Sequence, residues 1–149
     1  MSRRSTEHAT FVIERSFSVT PARVFAAWST AEAKAKWFGP RSADAIELDF
    51  QIGGDERFAV QGPGGARYTY LARYQDIVAD QRIVYTYEMY RDEDRISVSV
   101  ATIELAPDGE GTQLTLTEQG VFLDGHDTVA QREHGTRELI EQLAAAVGS

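Results

Sequence analysis

At 149 residues with no cysteine, the chain has the length of one domain, long enough to bury roughly 70% of its unfolded surface without a disulfide or metal staple. The missing thiols exclude a thiolate nucleophile and Cys-ligated centres, and they fit a reducing compartment, the cytoplasm. A formal charge of −8, from 15 Lys and Arg against 23 Asp and Glu with no basic run, repels nucleic acid and anionic membranes.

Residues 1–8 are charged and polar and read as a flexible lead-in, with no apolar core of a signal peptide behind them. Nowhere does a run of roughly 18 apolar residues predict a spanning helix. Residues 9–19 alternate, with Phe11, Ile13, Phe17 and Val19 on one face and Arg15 interrupting the row, which predicts a first strand. Thr20-Pro21 reads as N-cap and first helical residue, and Val24, Phe25 and Trp28 give the short helix one apolar stripe. Ser29-Thr30-Ala31-Glu32 has capping-box spacing and opens a second short helix, which Gly39 can end in a left-handed conformation before Pro40 forbids continuation.

From 43 to 120 the period is two. The rows are Ile46, Leu48, Phe50, Ile52; Phe58, Val60; Tyr68, Tyr70, Ala72; Ile83, Tyr85, Tyr87, Met89; Ile96, Val98, Val100; and Leu114, Leu116. Turn residues separate them at Gly53-Gly54, at 62–65, at 91–94 and at 107–111, and such short connections imply an antiparallel meander. Parity leaves open which row of the fifth run faces inward, because one bulge exchanges Tyr85 and Tyr87 for Val84, Thr86 and Glu88. The glycines at 62–65 lack a following Gly-Lys-Ser/Thr and read as a hairpin, not a phosphate loop. A terminal amphipathic helix over 128–147 gathers Val129, Thr136, Leu139, Ile140, Leu143 and Val147 in one arc.

This order of elements resembles the family related to the activator of Hsp90 ATPase, within the START-like (SRPBCC) superfamily. The residues that carry the likeness are Trp37-Phe38-Gly39-Pro40, the stretch 74–78 running into Arg82-Ile83-Val84-Tyr85, and Gly111 to Thr117. The resemblance covers residues 9–147 and implies a single α+β domain of helix-grip fold. In it a curved antiparallel sheet of six or seven strands wraps a long C-terminal helix, with two short helices after strand one. The stretches 118–125 and 132–136 look like a bacterial subgroup with no assigned function, many of whose members carry an aromatic residue at the position of Thr136. A smaller residue there enlarges a cavity between sheet and helix. The superfamily spans lipid carriers, receptors, cyclases and a co-chaperone domain, so the fold implies no single function.

Two charged residues are hard to explain as surface. Glu118 continues the row of Leu114 and Leu116, and Arg132 lies inside the apolar arc of the last helix. A charge pointing inward needs a partner, so the two are expected to meet at one end of the cavity, either as a structural ion pair or as a working polar pole. His134 and Glu138 at i, i+4 read as a surface pair. His126 with Asp124 and Asp127 precedes a helix, where aspartates cap, and no metal or other cofactor site is expected. Ser97 and Ser99 lie mid-strand without a nucleophile elbow.

The aromatic residues divide between core and lining. Trp28, Trp37 and Phe38 are candidates for the cavity mouth, Phe50, Phe58, Tyr70, Tyr85, Tyr87 and Met89 for its floor, and Phe122 and Thr136 are further candidates for ligand contact. Three functions fit. The first is binding of a small hydrophobic molecule; the second is an acid/base enzyme of cyclase or hydrolase type using Glu118 and Arg132; the third is a co-chaperone-like interaction module. A homodimer is expected only from how common closed two-fold pairs are.

Overall fold

The period-two runs assemble into one seven-stranded antiparallel sheet in the order β1-β7-β6-β5-β4-β3-β2. The computed structural model describes residues 4–39 and 45–148, so Pro40 lies outside the described residues. The strands are β1 (Thr6–Phe17), β2 (Glu47–Leu48), β3 (Asp55–Gln61), β4 (Arg67–Val78), β5 (Arg82–Arg91), β6 (Asp94–Asp108) and β7 (Gly111–Leu123). The helices are α1 (Pro21–Ala26), α2 (Ala31–Lys34) and α3 (Val129–Val147). Strands β2 to β6 each pair with the next in sequence, while β1 pairs with β7, from Thr6 opposite Leu123 to Phe17 opposite Thr112.

Two boundaries differ from the sequence expectation. Thr6 to His8 belong to β1, and Arg4 and the Ser5 amide hold Asp124, so the sheet reaches into the expected lead-in. The row Ile46, Leu48, Phe50, Ile52 is not one strand: β2 has two residues, and Ile52 stands 61% exposed in the turn before β3. The chain there folds back through Gly53 and Gly54, whose backbones bond to Tyr74 on β4, so turn chemistry overrides the alternation.

The helices begin where side chains satisfy orphan amides. Thr20, Thr30 and Thr128 each accept from the amide three residues on. The cap of α2 is thus Thr30, one residue later than the capping-box reading, and the Ser29 hydroxyl donates back to the Ala26 carbonyl. Gly39 follows with φ 71°, and a Cβ there would sit 3.0 Å from the Phe58 ring, so the corner needs glycine twice over.

The inner face of the sheet carries Phe11 and Ile13, Leu114 and Leu116, Ala101 and Ile103, and Ile83, all buried. Tyr85 and Tyr87 also face inward, while Thr86 and Glu88 line an outer groove, which settles the parity left open by sequence. Against the core stand Ile140, Leu143, Ala144 and Val147 from the C-terminal half of α3. Its N-terminal half offers Arg132, Gly135 and Thr136 instead, and there the packing opens. Gly135 lies mid-helix, and a Cβ added to it meets open space. Gly135→Ala is therefore expected to stabilise by about 1 kcal/mol, read from the urea midpoint, because it removes backbone freedom from the unfolded chain without a clash.

Candidate functional site

Between the sheet and the first turns of α3 lies a cavity of about 330 Å³, at the small end of the range for ligand sites. The inner face of β6 reads Ser97, Ser99, Ala101, so side chains of β5 and β7 can meet above it. Gly120 of β7 packs closely on β6, since a Cβ there would lie 2.6 Å from the Ser99 hydroxyl.

One wall is aromatic. Phe58 stacks on Tyr70 at 4.8 Å between ring centroids, Phe38 meets both edge-on, and Tyr70 leads to Tyr87 and then Tyr85. Met89, Gly39 and Leu139 complete the apolar lining. The Tyr70 hydroxyl is enclosed beside that of Tyr85 without a hydrogen bond of good geometry. Burial pushes the phenols of Tyr70 and Tyr85 well above their ordinary range, so both are neutral donors.

The other end is polar. The gap over β6 lets Tyr87 of β5 reach Glu118 of β7, donating to Oε2 at 2.7 Å. Arg132 of α3 donates from Nη1 to the Tyr87 oxygen at 3.0 Å, and its Nη1 stands 3.7 Å from Glu118 Oε2. From Nη2 it donates to Ser97 at 2.8 Å and Asp127 at 2.9 Å, while its plane covers Phe122. Gln131, Asp127 and Thr136 border this end.

Burial pushes the Glu118 carboxyl above the usual carboxylate range, and the Tyr87 hydroxyl and the Arg132 guanidinium oppose it. The folded state therefore holds this proton more tightly than the unfolded state, so Glu118 costs stability as pH rises through the interval above its unfolded value. Relative to the parent, Glu118→Gln is expected to gain stability from about pH 4 to pH 7; a difference that is flat or falls with pH refutes this assignment.

A second buried cluster lies behind Phe38. Lys34 of α2 and Glu56 of β3 are fully enclosed and bonded at 2.5 Å, and the Tyr74 hydroxyl donates to the same Glu56 oxygen at 2.6 Å. Lys34 Nζ also lies 4.4 Å from the Phe38 ring centroid. Desolvation lowers the Lys34 pKa, with Glu56 opposing. Glu56 Oε2 has no partner. The sequence analysis missed this pair, although Glu56 continues the inward row of Phe58.

Of the residues expected at the site, the structure gathers Phe38, Phe58, Tyr70, Tyr85, Tyr87, Met89, Glu118, Arg132 and Thr136 around the cavity. Four others are elsewhere. Trp28 and Trp37 pack on each other at 4.9 Å in the core, and the Trp37 indole N–H donates to the Ala27 carbonyl. Phe50 packs between Phe25 and Tyr74. Phe122 lies under the Arg132 guanidinium, supporting it without lining the cavity. His134 and Glu138 form an exposed pair at 3.1 Å. Asp124 and Asp127 bind Arg4 and Arg132, and no group of three metal-ligating side chains occurs among the described residues. None of the described helices is long and apolar enough to cross a membrane.

The profile of the activator of Hsp90 ATPase homolog 1-like proteins matches residues 18–148. The chain belongs to that family. Two solved relatives of this AHSA1-like chain are each 43% identical to it. One, an uncharacterized protein from Rhizobium leguminosarum, has a TM-score of 0.92 and aligns over 99% of both chains. The other, the Mll3558 protein from Rhizobium loti, has a TM-score of 0.90 and aligns over 95% of this chain and 99% of its own. Protein CV1439 from Chromobacterium violaceum is 26% identical, with a TM-score of 0.77 over 94% of this chain and 97% of its own. Comparison with curated proteins gives no match. The helix-grip architecture expected from the resemblance is thus the fold of the chain and of these neighbours.

Proposed function

We propose that this AHSA1-like domain binds a small, mostly apolar molecule in the cavity between its sheet and α3. One observation carries the reading: an aromatic space of about 330 Å³ ends in a buried carboxylate with only one of its oxygens hydrogen-bonded among the described residues. Apolar walls supply affinity and a few fixed polar groups supply orientation. Tyr87 and Arg132 hold Glu118 in place and pre-organise that pole.

The observations favour binding over the acid/base and co-chaperone-like readings. Glu118 is engaged by a phenol and flanked by a guanidinium, an arrangement that holds a carboxylate still without freeing it to exchange protons. The large apolar side chains exposed among the described residues, Val12, Ile52 and Val98, sit on β1, in a turn and on β6 and form no shared patch. The test is titration with the neutral fluorophore N-phenyl-1-naphthylamine, alongside native mass spectrometry for a retained small molecule. Saturable fluorescence enhancement at one site per chain is the expected result. No enhancement together with a bare apo mass overturns the reading.

A further inference from the structure

Resting on that reading, we infer that the ligand is an amine: an aromatic or aliphatic body carrying a protonated nitrogen that docks on Glu118 Oε1. Glu118 is 3% exposed, and Tyr87 occupies Oε2. Oε1 accepts nothing from the described residues and is not among the sealed, unpartnered atoms, which leaves it facing the cavity that Glu118 lines. A buried carboxylate oxygen without a donor is costly, and a ligand N–H removes that cost.

Charge selects the kind of donor. Among the described residues, the charged ones bordering the cavity are Glu118, Asp127 and Arg132, two negative against one positive. Arg132 is largely engaged, with three of its five N–H groups donating to Tyr87, Ser97 and Asp127. Lys34 does not line the space and is neutralised by Glu56. The pole thus carries an unmatched negative charge in a desolvated setting. A ligand carboxylate would add a third, whereas an ammonium completes a balanced set of two and two. The remaining walls agree, since Phe38, Phe58, Tyr70 and Tyr85 line the cavity and aromatic rings attract cations over anions. The chain's net charge of −8 also raises the local concentration of cations over anions.

The test uses three ligands with one indole body: tryptamine, the neutral alcohol tryptophol, and indole-3-propionate. Each is titrated calorimetrically into the full chain and competed against N-phenyl-1-naphthylamine. Tryptamine is expected to bind at least ten-fold more tightly than tryptophol, with indole-3-propionate weakest. In Glu118→Gln the advantage of tryptamine over tryptophol shrinks to within about two-fold. Equal or tighter binding of the alcohol or the acid to the parent chain overturns the inference, and that comparison needs no variant to fold. So does an amine preference that survives Glu118→Gln. If the naphthylamine binds and none of the indoles displaces it, the amine inference falls and the cavity reading stands. If the naphthylamine also fails to bind, both fall.

Discussion

Lys34→Met is expected to destabilise the protein by about 3–5 kcal/mol, a fall in Tm of roughly 10 °C for a chain of this size. The variant leaves the Glu56 carboxyl enclosed, with the Tyr74 hydroxyl as its sole remaining donor among the described residues and Oε2 already unpartnered. The cost comes from the orphaned carboxylate more than from the lost attraction, because a buried ion pair gains little over apolar groups of similar volume. The double substitution Lys34→Met/Glu56→Leu should therefore recover most of the loss, although Tyr74 then lacks an acceptor. Thermal melts of parent, single and double variants at neutral pH decide the matter. A single variant that melts with the parent would show that the pair is not enclosed in solution.

Thr136→Trp is expected to weaken N-phenyl-1-naphthylamine binding by more than ten-fold while leaving the protein folded. Thr136 borders the cavity, and its hydroxyl bonds only to the Arg132 carbonyl one turn back in the same helix, so its removal orphans no distant group. The indole extends into space that is already there, which keeps the packing cost below the 1–3 kcal/mol typical of an overfilled core. A cooperative melt within a few degrees of the parent establishes folding, and the fluorescence titration reads occupancy. Undiminished binding by such a folded variant would place the fluorophore outside the cavity.

The sheet order, the long terminal helix and the inward aim of Glu118 and Arg132 were legible because each rests on periodicity over many residues. Leu114, Leu116 and Glu118 share a strand parity, and Arg132 shares a helical arc with Thr136 and Leu139. Their approach to 3.7 Å follows from charge: two inward ions on facing elements lower each other's cost. Lys34 was not legible, since α2 is a single turn and has no periodicity to read. Glu56 was masked by its neighbours, because Asp55-Glu56-Arg57 looks like a solvated strand end until Phe58 fixes the parity. The tryptophans and Phe50 were misplaced for another reason. Sequence marks an aromatic residue as inward but cannot say whether the space before it is filled, and α1 and the β2–β3 turn fill the space before these three.

Because short side chains at Ser97, Ser99 and Ala101 leave room for Tyr87 to reach Glu118, the placing of that bridge and its chemistry are written on different strands. Lengthening a residue on β6 would push the bridge toward α3, and of the three Ser97 alone donates to or accepts from Arg132 among the described residues. The carboxylate and phenol sit on β7 and β5. Substitutions at positions 99 and 101 would therefore shift the polar end of the cavity without altering the groups that form it.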